Sequence, residues 1–194
     1  MSVSRISKLS AIIASTLLLQ GCVAAALFGG ATVATNVGTD ARTVGTQVDD
    51  SKLDLQVASA VNKDEQINQE GRVVAVSYSG RILLLGQVPD ESLKETATGL
   101  AKGVNGVTEV YNEMTVGKPI TFTQKSKDSW ITTKVKSQML TNDSVKSTDV
   151  KVVTENAVVY LLGNLTTSQA DAAAEVARNV AGVEKVVKVI NYIN

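Results

Sequence analysis

The sequence predicts an α+β fold: two tandem αββαβ sandwiches, each a three-stranded sheet with two helices on one face. Three observations lead there. The chain repeats itself in register after a non-repeating N-terminal stretch. Each repeat opens with apolar residues at helical spacing and continues as two β-rich runs around a short turn. Each then passes through a second helical stretch to a Gly-Val step and a last β-rich run.

The register is exact enough to name pairs. Residues 72–88 lie over 149–165, so that Val76 falls on Val153, Leu84 on Leu161, Leu85 on Leu162 and Gly86 on Gly163. Upstream, Leu53, Val57 and Val61 match Ile131, Val135 and Met139. Downstream, GVTEVYNEM (106–114) lies over GVEKVVKVI (182–190). The offset drifts only from 78 to 77 to 76 residues across the three segments.

Each element has a local reason. The first helix of each copy places apolar residues at i, i+4 and i+8, with Asp50 or Asp128 as its candidate N-cap. Asp49, Asp50 and Asp54 read as an acidic helix start rather than a metal site. The runs 73–77 with 81–86, and 150–154 with 158–163, read as hairpins around Tyr78-Ser79-Gly80 and Glu155-Asn156-Ala157. Second helices follow at 91–103 and 168–180, with Ser92 and Glu95 offering a capping box in the first copy. Gly106-Val107 and Gly182-Val183 end these helices and start the third strands. Tyr111 and Tyr160 read as core or sheet-face residues.

The repeats set the domain plan: 47–118 and 127–194, joined by a linker at 119–126. Residues 22–46 form a Gly/Ala/Thr-rich tether without a sustained period. Residues 1–21 carry Arg5 and Lys8, an apolar stretch from Leu9 to Leu19 and then Gln20-Gly21, the layout of a secretory signal peptide. That stretch is about half the ~20 residues a membrane span needs.

Composition removes most enzyme classes. Among 194 residues there is no histidine and one cysteine, which leaves no Ser-His-Asp triad, His-ligated zinc, CxxC site or internal disulfide. The 19 basic and 19 acidic side chains cancel, unlike the basic excess of a general nucleic-acid binder. No acid pair stands in a long active-site loop, so the chain reads as non-catalytic, without cofactor or metal, and monomeric.

Two resemblances carry the reading further. Leu19-Gln20-Gly21-Cys22 resembles the bacterial lipobox, whose cysteine becomes the lipidated first residue, bearing diacylglycerol and an N-acyl chain. Val23, where an aspartate would signal inner-membrane retention, implies the outer membrane, facing the periplasm. The late G-V-x-x-V (Gly106 to Val110, Gly182 to Val186) and the L-x-G turn (Leu84 to Gly86, Leu161 to Gly163) resemble the BON domain of bacterial periplasmic and membrane proteins. With lipobox and tether, the chain resembles tandem-BON outer-membrane lipoproteins. The resemblance implies a role in outer-membrane integrity, binding of anionic phospholipid of the phosphatidylglycerol type by the second copy, and gathering at cell-division sites.

Differences between the copies point the same way. Residues 46–118 carry a net charge of −4 and residues 125–194 a net of +2. The second copy's first helix holds Lys125, Lys127, Lys134 and Lys136 against Asp128 alone. At ~100° per residue, Ile131, Val135, Gln138 and Met139 define its inward face. Trp130 and Leu140 fall on the other side, where the first copy has Lys52 and Asn62. An indole and a leucine rimmed by Lys127, Lys134 and Lys136 suit an anionic membrane interface. Two other uses fit Trp130: packing on the linker (Ile120 or Phe122) or on the first copy, and contact with a protein. The rival function is therefore an adaptor recruiting outer-membrane assembly or cell-wall-cleavage proteins, and a third is a spacer whose copies pack together and bind nothing.

Overall fold

The structure, a computed structural model, describes residues 44–194; the signal segment, Cys22 and most of the tether lie outside the described residues. The first copy comprises α1 (Val44–Val61), α2 (Glu65–Glu70), β1 (Arg72–Tyr78), β2 (Arg81–Val88), α3 (Glu91–Lys102), β3 (Glu109–Asn112) and β4 (Thr115–Val116). The second comprises α4 (Phe122–Leu140), a 3-10 turn (Ser147–Asp149), β5 (Val150–Glu155), β6 (Val158–Leu165), α5 (Thr167–Arg178) and β7 (Lys185–Tyr192).

Both sheets share one topology. β1 and β2 pair antiparallel, and β3 joins β2 in parallel on its other side. β5, β6 and β7 repeat that order. β4 pairs β2 beyond β3, so the first copy's third strand is one strand broken at Glu113-Met114, where β7 runs unbroken.

Sequence periodicity explains the layers. On β2, Ile82, Leu84 and Val88 face a core with Leu53, Val57 and Val61 of α1 and Leu93, Ala97 and Ala101 of α3. On β6, Val159, Leu161 and Leu165 face the matching core with Ile131, Val135 and Met139 of α4 and Ala170, Ala173 and Ala177 of α5. The alternate residues Leu83 and Leu85 meet Tyr160 and Leu162 in a third cluster, with Val76, Tyr78 and Val189. The two sheets therefore pack face to face, helices outermost, in four layers. Burial of both faces accounts for the near-continuous apolar runs of β2 and β6.

Polar groups tie the seam. Arg72 Nη1 donates to Glu155 Oε1 at 2.5 Å, and Gln87 Nε2 donates to the same oxygen at 2.8 Å. Gln87 also accepts the Ile120 N–H at 3.1 Å, bringing the inter-copy segment into the network. Lys151 Nζ donates to the Ser77 carbonyl at 2.8 Å.

Several local expectations change. Asp50 and Asp128 lie inside α1 and α4, both 4% exposed, rather than at caps. Asp50 accepts from Ser77 Oγ and from the Ser79 and Gly80 N–H groups; Asp128 accepts from Asn156 and Ala157. Asp54 likewise accepts the Ser77 N–H, so two of the three acids read as a helix start anchor the hairpin instead. The N-cap of α3 is Asp90, which accepts from Leu93 N–H and Ser92 Oγ; its carboxyl is held below the usual range, by the Ser92 hydroxyl first and the Leu93 amide next. The capping box occurs in the second copy instead, between Thr166 and Gln169 of α5. Gln138 is exposed and drops out of the inward face. Helix α2, with no counterpart in the sequence reading, buries Ile67, which stands 78 residues before the buried Val145.

Candidate functional site

The candidate site is the outer face of α4. Its inner face is fixed by Asp128, Ile131, Val135 and Met139, all buried. Viewed down the axis, the opposite side holds Phe122, Trp130 and Leu140, which are 83%, 51% and 67% exposed. Phe122 and Leu140 stand 18 residues apart, five whole turns, and so share one line along about 27 Å of helix. Trp130 lies between them, about 80° round the axis. Ser126, Thr133 and Ser137 fill the space between.

Lysines flank this stripe on both sides. Lys127 and Lys134 follow the Trp130 edge, and Lys125 and Lys136 the opposite edge. All four are exposed, and among the described residues none is in an ion pair, in contrast to Lys94, Lys146, Lys151 and Lys188. Lys134 Nζ stands 5.6 Å from the Trp130 ring centroid, a cation–π contact that steadies the indole while leaving half of it bare. Trp130 belongs to none of the three buried clusters.

The structure places Trp130, Leu140, Lys127, Lys134 and Lys136 on the exposed side of α4, with Trp130 and Leu140 about 15 Å apart along the axis and only Lys134 against the indole. The sequence reading omitted Phe122, because it assigns 119–126 to a linker. The helix begins inside that stretch, with Thr121 as N-cap accepting the Gln124 N–H. The 18-residue spacing to Leu140 was the available signal. Phe122 is also no cover for Trp130, since eight residues separate them by about 12 Å along the axis. The first copy's helix has a single exposed large apolar residue on its described positions, Leu55, where α4 has Thr133. Among the described residues no helix is long and apolar enough to cross a membrane.

The BON domain family matches residues 49–118 and 127–194, the two copies found by internal repetition. The chain belongs to the BON-domain family. Its relatives share more than the domain. It is 58% identical over 194 residues, all of both chains, to the outer membrane lipoprotein DolP of Haemophilus influenzae. It is 55% identical over 154 residues to a 21 kDa hemolysin of Actinobacillus pleuropneumoniae, covering 79% of each chain. It is 32% identical over 147 residues to osmotically-inducible protein Y of Escherichia coli, covering 74% of this chain and 72% of that one. None of these names is that of an enzyme. The full-length likeness to DolP makes this BON protein an outer-membrane lipoprotein.

Proposed function

We propose that this tandem-BON lipoprotein is a non-catalytic binder of anionic phospholipid that supports outer-membrane integrity. Acyl chains on Cys22 tether it on the periplasmic side, and α4 is its lipid-reading surface. One observation carries the reading: an exposed apolar stripe (Phe122, Trp130, Leu140) runs between two rows of lysines. Such a helix lies flat, with its apolar side chains at the headgroup boundary and its lysines among the phosphates. Each lysine near an anionic surface contributes ~1 kcal/mol, and a protein already anchored beside the bilayer needs only weak affinity. Gathering at division sites follows from anionic-lipid preference together with the family resemblance.

The test uses fragment 39–194, which belongs to one compact unit and contains all three buried clusters. Trp130 is the only tryptophan, so emission reports on this helix alone. A blue shift with phosphatidylglycerol vesicles and none with phosphatidylcholine is the expected result. In vesicle co-sedimentation, which needs no tryptophan, Phe122→Ser and Trp130→Glu then each weaken binding without lowering the urea midpoint of unfolding. Wild-type emission unmoved by either vesicle would sink the proposal and favour the protein adaptor.

A further inference from the structure

Beside the stripe, on the flank that carries Lys125, a cavity of about 220 Å³ opens between α4 and β5. Its walls include Lys125, Ser129 and Thr132 of α4, Thr154 and Glu155 of β5, and Arg72 of the first copy. Resting on the membrane reading above, we propose that this cavity seats the phosphate and glycerol of one phosphatidylglycerol headgroup. The lipid site is then composite, with the first BON domain supplying Arg72 to a surface otherwise built by the second.

Position comes first. Lys125 and Ser129 lie at the border of the line defined by Phe122 and Leu140. When those apolar residues enter the headgroup boundary, the border of the helix sits at phosphate depth. The volume is below the range of pockets for drug-sized ligands and suits one headgroup.

Charge and hydroxyls then define the ligand. Lys125 and Arg72 supply cations for a phosphate, the guanidinium offering a planar set of donors. The cavity's carboxylates carry protein partners, Asp128 on both oxygens and Glu155 on Oε1. Asp128 accepts from Gln124 Nε2, Asn156 N–H and Ala157 N–H, and Glu155 from Arg72 and Gln87. Ser129, Thr132 and Thr154 add three hydroxyl oxygens that can accept from a diol. Ser129 Oγ already donates to the Lys125 carbonyl at 3.0 Å and Thr132 Oγ1 to Thr154 Oγ1 at 2.8 Å, which leaves the Thr154 hydroxyl to donate. A phosphatidylserine headgroup has the same net charge but brings its own carboxylate against Asp128 and Glu155, and it lacks the diol that the three hydroxyls would meet. A row of lysines alone cannot separate these two lipids, whereas this cavity can.

The experiment titrates fragment 39–194 with phosphatidylcholine vesicles doped to equal mole fraction with phosphatidylglycerol or phosphatidylserine. Lys125→Gln is compared with Lys136→Gln, which removes the same charge from the same flank outside the cavity. The wild type should prefer phosphatidylglycerol, and Lys136→Gln should weaken both lipids in parallel. Lys125→Gln and Thr132→Val should instead bring the ratio of the two affinities towards one. Equal behaviour of Lys125→Gln and Lys136→Gln, or a wild type blind to the difference, would overturn the headgroup site even where binding to both vesicles is intact. Loss of all vesicle binding by the wild type would instead remove the membrane reading on which it rests. Amide NMR shifts at Ser129 and Thr132 with dissolved glycerol 3-phosphate, together with a wild type that shows no preference for phosphatidylglycerol vesicles, would overturn the lipid assignment and give the cavity to a soluble phosphate ester.

Discussion

Asp128, in the middle of α4, accepts the backbone N–H of Ala157 at 2.9 Å, 29 residues along the chain. Ala157 and its neighbour Asn156 both have positive φ, 63° and 49°, as a two-residue I′ hairpin turn requires. Asp128 also accepts Asn156 N–H at 2.8 Å, so one buried carboxylate satisfies both turn amides and fixes helix to hairpin. The first copy does the same with Asp50 and the turn Ser79-Gly80. Asp128→Ala strands these donors and is expected to cost about 2–3 kcal/mol in urea unfolding. Ala157→Gly relieves a left-handed alanine at some entropic cost and should gain about 0.5–1 kcal/mol. A neutral Asp128→Ala would contradict the anchoring role.

The two hairpin glycines predict unequal sensitivity. A Cβ on Gly86 would stand 1.9 Å from the Arg72 carbonyl oxygen, at φ 117°. Clash and forbidden backbone combine there, and a strained φ alone costs on the order of 1–3 kcal/mol. At Gly163 the Cβ would meet the Asp149 carbonyl at 2.5 Å, a lesser overlap with no positive φ added to it. Gly86→Ala should therefore abolish a cooperative melt, while Gly163→Ala keeps one at a lower midpoint. Thermal denaturation followed by circular dichroism decides it, and the reverse ranking would count against this account.

The legible parts were those that periodicity writes twice. Leu53 with Ile131 and Gly86 with Gly163 disclosed the repeat, and the order of elements along each copy followed from it. Asp50 and Asp128 were harder, because an acid before an apolar stripe ordinarily caps a helix. Their spacing of three from Leu53 and Ile131 places them on the inward face, and only the hairpin turn opposite supplies the donors that make burial tolerable. Phe122 was hidden by the same assignment, which started α4 too late. Sheet-on-sheet packing had a trace in the run Ile82 to Leu85, apolar on both faces, but which surface covers the second face depends on three-dimensional docking. The capping of α3 turned on competition: Asp90 reaches Leu93 N–H first and takes the Ser92 hydroxyl as well.

The Arg72–Glu155 pair is a joint between domains, and its two side chains are only 22% and 10% exposed. Removing the arginine leaves a largely buried carboxylate held by Gln87 alone. Arg72→Met is expected to cost about 2–4 kcal/mol in urea unfolding. Arg72→Met combined with Glu155→Gln removes the charge as well as its partner and should cost less than Arg72→Met alone. That sign of coupling is the check, and simple additivity in a double-mutant cycle would mean that the pair does not hold the seam.

Tyr160 faces the sheet-to-sheet cluster at 5% exposure. Burial first, then the negative charges of Glu113 and Glu155, push its hydroxyl from 10.0 up to about 12. The unfolded chain gives up this proton near pH 10, while the folded chain keeps it until about pH 12. The unfolded state is therefore favoured progressively across that window: stability from Tyr160 is fully present below pH 10 and lost as pH rises through 12. At about 1.4 kcal/mol per pH unit, the loss approaches 3 kcal/mol at the top of the window. Other tyrosines and the lysines titrate in wild type and Tyr160→Phe alike, so the difference between the two isolates this group. Urea midpoints measured from pH 8 upward should keep a constant gap until about pH 10 and then shift in favour of Tyr160→Phe. Parallel curves throughout would mean that the tyrosine ionises in the folded protein as readily as in water, and that the two sheets do not seal it.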